Sequence, residues 1–353
     1  MQKARTIVRA NKNFYVSTNS FRTLLAMTTV TFSQQPPIEN GVPQALAQWR
    51  ATHYSDVRYK LNLTLEKGAP LMKGDIEIRV TLDEEGAKYP LVLDWRTTQF
   101  QNDKDKPFAN VVGVNEALDI RSQLNNEHIL IPDGLIKTGE NVIKIQFASP
   151  IKTSGSAITR YIDKEDGSEY IYSLFVPSDA STAFPGFDQP DLKARFQFNL
   201  SMPFGWKVVS NTDLLENPHP GVIPEKATKE EIKELNKNSK DNFPYHFEQT
   251  KPISTYVFAF AAGNFDEFYD ENVDNILKDL TKEKIAKGEV NNDGTTSIGV
   301  DEIRSKRSKI YVRKSQAEKF KPHAQEVFRL NRECVKYLEE YFDYKFVSRF
   351  SSF

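Results

Sequence analysis

Two stretches of strict alternation constrain this chain most. Tyr59, Leu61, Leu63 and Leu65 alternate with polar residues, and after a Lys67-Gly68-Ala69-Pro70 turn Ile76, Ile78, Val80 and Leu82 do the same. A period of two puts every apolar side chain on one face of an extended strand, and that face must be covered by a second layer. The two runs read as successive strands with a turn suited to a hairpin between them. Further short strands are predicted at Leu91–Trp95, Val111–Val114, His128–Ile131, Asn141–Phe147, Tyr170–Phe175, Arg195–Ser201, Trp206–Ser210, Tyr245–Gln249 and Thr255–Gly263, with turn residues such as Gly134 and Gly139 between them. So many short strands with few helical stretches predict a mostly β fold, a sandwich or saddle, over residues 50–313.

The two ends differ from this middle. Residues 1–49 read as leader and linker, the linker part being 36–50 with Pro36, Pro37, Gly41 and Pro43. Lys3, Arg5, Arg9, Lys12 and Arg22 precede a short apolar stretch, residues 24–32, and then Ser33-Gln34-Gln35. That order resembles a degenerate secretory signal peptide, although threonines interrupt its apolar part. The chain is thus expected to be exported or periplasmic if residues 1–33 act as a signal, and cytoplasmic otherwise. The stretch is too short to span a membrane as a helix. At the other end Ala324, Val327, Phe328, Asn331, Cys334, Val335, Leu338, Tyr341 and Phe342 recur at spacings of three and four. This predicts an amphipathic helix from just after Pro322 to about Phe342. It reads as the first helix of an otherwise missing α-helical domain, of which residues 314–353 are only the start. Two charged inserts interrupt the β region. Residues 224–240 read as an exposed helix, and 270–308 as loops with one short helix.

Composition removes some functions. With 47 basic and 48 acidic residues there is no electrostatic footprint for nucleic acid. Cys334 is the only cysteine, so neither an intrachain disulfide nor a two-cysteine metal knuckle can form. Its place on an apolar helical stripe favours a core thiol over a nucleophile. The five histidines are His53, His128, His219, His246 and His323, none closer than 27 residues to the next. A zinc helix needs two His at i and i+4 with a Glu between them, and the residue four after His323 is Val327. No nucleophile elbow, phosphate loop or dinucleotide motif is present either.

The most specific run is Phe184-Pro185-Gly186-Phe187-Asp188-Gln189-Pro190-Asp191-Leu192-Lys193-Ala194. It resembles a signature of the zinc aminopeptidase family typified by aminopeptidase N. Upstream, Leu174-Phe175-Val176-Pro177-Ser178-Asp179-Ala180-Ser181 stands where that family carries roughly Gln-Phe-Glu-Pro-Thr-Asp-Ala-Arg. Downstream, Trp206, Ser210-Asn211, Thr250–Tyr256 and Gly263-Asn264-Phe265 keep the family's order. The resemblance covers about residues 50–345. By chemistry, much of the signature reads as architecture: Pro185 and Pro190 fix φ around a turn, Asp188 is placed to accept from backbone amides, Phe184 and Phe187 supply core, and Lys193 is placed to meet a carboxylate.

The resemblance implies an N-terminal β domain beside the entrance to a zinc active site. It also implies that the family's GAMEN-like and zinc-helix motifs would follow Phe346. Zinc is then expected in an intact relative and no cofactor in this chain, which is expected to be inactive alone. The resemblance further places Leu174 and Val176 where the family holds the free α-amine of a peptide. Neither side chain can accept a hydrogen bond from an ammonium group. The implied partners are peptide N-termini in an intact relative, with self-association through the C-terminal helix also expected. Two alternatives stand beside this reading: a non-catalytic β-sandwich module that binds peptides or proteins, and an unrelated structural sandwich.

Overall fold

The computed structural model describes residues 35–96, 106–118, 120, 123–216, 243–272, 274–291, 295–298 and 308–344. The leader up to residue 34 and the insert expected to be helical at 224–240 lie outside the described residues. The first element is a helix, α1 (Gln44–His53), where the sequence reads as linker. The proline-rich stretch before it hides the signal, and only Leu46, Trp49 and Arg50, spaced three and one apart, turn to the core. Proline just before a helix is no obstacle, because the missing N–H would have had no intrahelical partner.

Seventeen strands follow among the described residues. The first eight are β1 (Tyr54–Thr64), β2 (Leu71–Leu82), β3 (Leu91–Asp94), β4 (Phe108–Val114), β5 (Ala117–Leu118), β6 (Gln123–Asn125), β7 (His128–Ile131) and β8 (Gly139–Pro150). Then come β9 (Ile158–Ile162), β10 (Glu169–Ser173), β11 (Ala194–Met202), β12 (Lys207–Ser210), β13 (Leu214–Glu216), β14 (Phe243–Phe247), β15 (Phe260–Gly263), β16 (Phe265–Tyr269) and β17 (Lys309–Arg313). An eight-stranded sheet has the order β13-β14-β11-β1-β2-β8-β4-β5, a four-stranded sheet β12-β15-β10-β9, a three-stranded sheet β3-β7-β6, and β16 pairs with β17 alone.

The alternating runs do what their period demands. β1 and β2 pair antiparallel, Leu61 opposite Ile76 and Leu63 opposite Gly74, so their apolar residues share one face. β11 joins β1 in parallel from Val57–Ala194 to Thr64–Ser201, adding Phe196, Phe198 and Leu200 to that face. The inner faces of the two smaller sheets supply Leu91, Leu93, Ile129, Ile131 and Ile171 to the same core cluster. Each such side chain gains roughly 1.5–3 kcal/mol from burial. Gly74 is required where β2 crosses this core, since a Cβ there would stand 2.8 Å from Asn62 O and 2.6 Å from Phe147. The outer face of the large sheet carries surface ion pairs such as Arg79–Glu140 at 3.0 Å, which add little stability.

The rest is helical. The 270–308 stretch contains α2 (Asp274–Ala286), while part of it, 273, 292–294 and 299–307, lies outside the described residues. After β17 come a single turn, α3 (Ala317–Phe320), and the amphipathic helix α4 (Ala324–Phe342). The periodicity located α4 correctly. Its C-terminus is closed by Asp343 in the left-handed region, φ 49°.

Candidate substrate-facing site

The run between β10 and Phe184 continues the strand's alternation past its end. Ile171 and Phe175 turn inward, while Tyr172, Leu174 and Val176 turn outward, Leu174 and Val176 being 57% and 54% exposed. Phe175 is the anchor: its ring meets Phe184 edge-on at 5.6 Å and stacks with Phe258 at 6.1 Å. The amide of Leu174 donates to Ala157 O at 2.8 Å, and that of Asp179 to Phe175 O at 2.9 Å. The Val176-Pro177 peptide is cis.

Arg96, just beyond β3, ties down the turn that follows. Its guanidinium donates to Ser178 O and Asp179 Oδ1, both at 2.6 Å, and to Ser181 Oγ at 3.1 Å, while its amide donates to Ser181 O. The two exposed apolar side chains thus project from a segment held at both ends.

The signature lies beneath this segment and is built into the core. Phe184 and Phe187 are fully buried, and the Phe187 amide donates to the Tyr59 hydroxyl at 2.9 Å. Asp188 accepts from the amide of Ser181 at 2.9 Å and the hydroxyl of Thr255 at 3.0 Å. Burial pushes its carboxyl pKa up, partly opposed by those two donors. Its own amide donates at 2.7 Å to Asp94 Oδ2, which ties the signature to a second buried carboxylate. Arg50 meets Asp94 with two nitrogens, at 2.6 and 2.9 Å, and donates to Val92 O at 3.0 Å. His128 Nδ1 lies 2.9 Å from Asp94 Oδ1, off the line of a good hydrogen bond, and its Nε2 is 2.8 Å from Glu39 O. Burial alone would raise the Asp94 carboxyl, but Arg50 and His128 hold it below the ordinary carboxylate range. Gln189 donates to Ala47 O at 2.8 Å, joining the signature to α1. Lys193 is exposed and makes no ion pair among the described residues, contrary to the expectation from sequence.

Residues 53–222 match the peptidase M1 N-terminal domain. The chain is 31% identical to aminopeptidase N of Streptomyces lividans over 217 residues, which is 58% of this chain and 22% of that one. It is 28% identical to probable M1 family aminopeptidase 1 of Encephalitozoon cuniculi over 159 residues, 45% of this chain and 16% of that protein. Against leucine aminopeptidase 2 of Neurospora crassa it is 24% identical over 224 residues, 61% and 28% of the two chains. This chain carries an M1 aminopeptidase N-terminal domain. Its match spans between 16% and 28% of the length of these relatives.

The M1 family implies zinc in intact relatives. Among the described residues no group of three or more His, Cys, Asp or Glu side chains is placed to hold a metal ion. His53 pairs with Asp83 at 2.9 Å, His246 lies 2.7 Å from Asn199 Oδ1, His128 is locked in the Asp94 cluster, and His323 precedes α4. The described residues therefore do not fit a zinc centre. No helix among them is long and apolar enough to cross a membrane.

α4 corrects one sequence reading. Cys334 is exposed, not a core thiol, because only Ala324 and Phe328 of the apolar stripe are buried. Arg332 pairs with Asp270 beside the β16–β17 hairpin, and Val327, Leu330, Tyr337 and Tyr341 face outward.

Proposed function

We propose that this chain forms the N-terminal, cleft-capping part of a zinc-dependent aminopeptidase-like protein and has no peptidase activity of its own. What carries the reading is the match of residues 53–222 to the M1 N-terminal domain, with the signature packed as a scaffold under the outward Leu174–Val176 segment. In an intact protein of this kind zinc would polarise the peptide carbonyl and activate water. The contribution of this chain would be to limit access to the cleft and to face the peptide's N-terminus. Leu174 and Val176 stand at the proposed amine-facing positions. They offer apolar surface and no acceptor for an ammonium group, so the reading assigns them no grip on the free α-amine.

Purified chain washed with chelator and dialysed should retain far less than one equivalent of zinc by elemental analysis, since the donor set a structural or catalytic zinc needs is missing from the described residues. One tightly retained equivalent would contradict the reading.

The outward stripe of α4 supports a second element of the proposal, association through that helix. Each large apolar side chain left in water forgoes roughly 1.5–3 kcal/mol of burial. Sedimentation should reveal concentration-dependent association that weakens on Leu330→Glu with Tyr341→Glu. A strictly monomeric chain, or association untouched by both changes, would remove the stripe from the account.

A further inference from the structure

A cavity lies away from the signature, in the corner between the outer face of the four-stranded sheet and the β16–β17 hairpin. It measures about 650 Å³, within the roughly 300–1,000 Å³ usual for small-ligand sites. Its shape follows from register. On the sheet's outer face Tyr172 stands opposite Ala261, which in turn stands opposite Val209, so a small residue forms the floor between larger ones. One row along, Tyr161 pairs with Tyr170, and Tyr170 with Gly263. Gly263 has no room for a side chain: a Cβ would fall 2.6 Å from the Tyr170 ring and 2.8 Å from Glu169 O. The hairpin closes the other side with Phe265, Tyr311 and Arg313.

The polar side chains of this corner are the hydroxyls of its tyrosines and Ser173, which can donate as well as accept, and the guanidinium of Arg313. Among the described residues Arg313 is the only charged one lining it. Its guanidinium lies over the Tyr161 ring at 4.7 Å and spends Nη1 on Asp163 at 3.2 Å, while its side chain stays 39% exposed. Asp163 also accepts from the Ser315 hydroxyl at 2.7 Å and the Glu165 amide at 3.0 Å, so Arg313 is one of several partners that hold it. Burial raises the Tyr311 hydroxyl pKa, with Glu267, Tyr269 and Asp213 adding to the effect, so it remains a donor across the physiological range. Glu267, opposite Tyr311 on the hairpin, is outside the lining and is occupied by Lys207 at 3.7 Å and the Tyr269 hydroxyl at 2.6 Å. The cavity therefore offers aromatic walls, a small-residue floor, one guanidinium with free nitrogens and a phenolic donor.

We propose that this cavity binds an amphipathic carboxylate, its aromatic or aliphatic body on the Ala261 floor between the tyrosines and its carboxylate on Arg313. Charge complementarity selects the anion, since a guanidinium offers paired donors to a carboxylate and, among the described residues, no carboxylate lines the cavity to repel it. The apolar walls select the body. A free organic acid and the C-terminal residue of a peptide share this chemistry. The site stands independently of the peptidase reading and of the Leu174–Val176 segment.

Titration calorimetry on the full chain tests it with 3-phenylpropionate, its neutral amide 3-phenylpropionamide, and N-acetyl-alanyl-phenylalanine. The acid should bind about tenfold more tightly than the amide, as expected for a charge-assisted hydrogen bond. Arg313→Gln should bring the acid down to the level of the amide, and Ala261→Trp, which fills the floor, should abolish binding of both. The peptide binding more tightly than the acid would place the natural source in peptide C-termini, and the reverse in free acids. Thermal melts of both variants establish that they fold, and if one fails the other still decides. Equal affinity for acid and amide, binding unchanged in Ala261→Trp, or no heat for any of the three would overturn the proposal.

Discussion

Replacing Arg50 by methionine is expected to destabilise the folded chain by about 3–5 kcal/mol, because it strands a buried charge. Arg50 has no solvent exposure and Asp94 almost none, and their paired contact at 2.6 and 2.9 Å neutralises a carboxylate that also receives the Asp188 amide. The guanidinium further lies 5.5 Å from the Phe187 ring centroid, so the signature loses a packing neighbour as well. Urea unfolding at neutral pH would measure the loss. Arg50→Met with Asp94→Leu should recover a large part of it, since a buried ion pair can often be exchanged for apolar residues of similar volume. A loss under about 1 kcal/mol for the single variant would place the pair among interactions with the strength of surface bridges.

The two buried carboxyls of this cluster respond to acid in opposite senses. Asp94 is held below its ordinary pKa, so its contribution is complete above the unfolded carboxylate range and is lost as pH falls through the depressed value. Asp188 is raised, so its contribution is greatest at low pH and declines as pH rises through the elevated value.

Phe258→Ala is the second large expected effect, about 3–5 kcal/mol for an aromatic cut down to alanine in a packed core. Phe258 stacks on Phe196 at 4.6 Å with planes 2° apart, meets Phe184 and Phe198 edge-on at 6.1 and 5.3 Å, and stacks with Phe175 at 6.1 Å. It thus joins β11, the signature and the anchor of the Leu174–Val176 segment. Beyond the shift in the urea midpoint, amide exchange at residues 174–182 should speed up more than in β2, because Phe175 loses the ring it stacks against. Uniform acceleration across the sheets would indicate that the segment is held by Arg96 alone.

The sheets were legible where burial follows a local period. β1, β2, β7, β8 and β11 fall within a few residues of the alternating runs because each has one face in a single core. α1 was not legible: its three buried residues form too narrow a stripe, and the preceding Pro43 reads as loop. β16 and β17 pair across some forty intervening residues, and Phe265-Asp266-Glu267-Phe268-Tyr269 shows no period of two, so the strip that walls the tyrosine cavity has no local signal. The architectural reading of Phe184, Phe187 and Asp188 holds, including the backbone amide that Asp188 was expected to accept. Its other partner, Thr255, and the cluster around Asp94 could not be read, since Arg50, Asp94 and His128 meet only through the register of β3 with β7 and the docking of α1. The Cys334 reading failed for a related reason: periodicity reports that a helix is amphipathic, and α4 leaves most of its apolar stripe outward.

The central proposal is that this chain supplies a cleft-capping M1 domain and no catalysis. Hydrolysis of leucyl- and alanyl-p-nitroanilide by the purified chain, with zinc supplied and with chelator, tests it most directly. Turnover at the rate of buffer alone under both conditions is the expected result. Chelator-sensitive hydrolysis that follows the chain through successive columns would contradict the account.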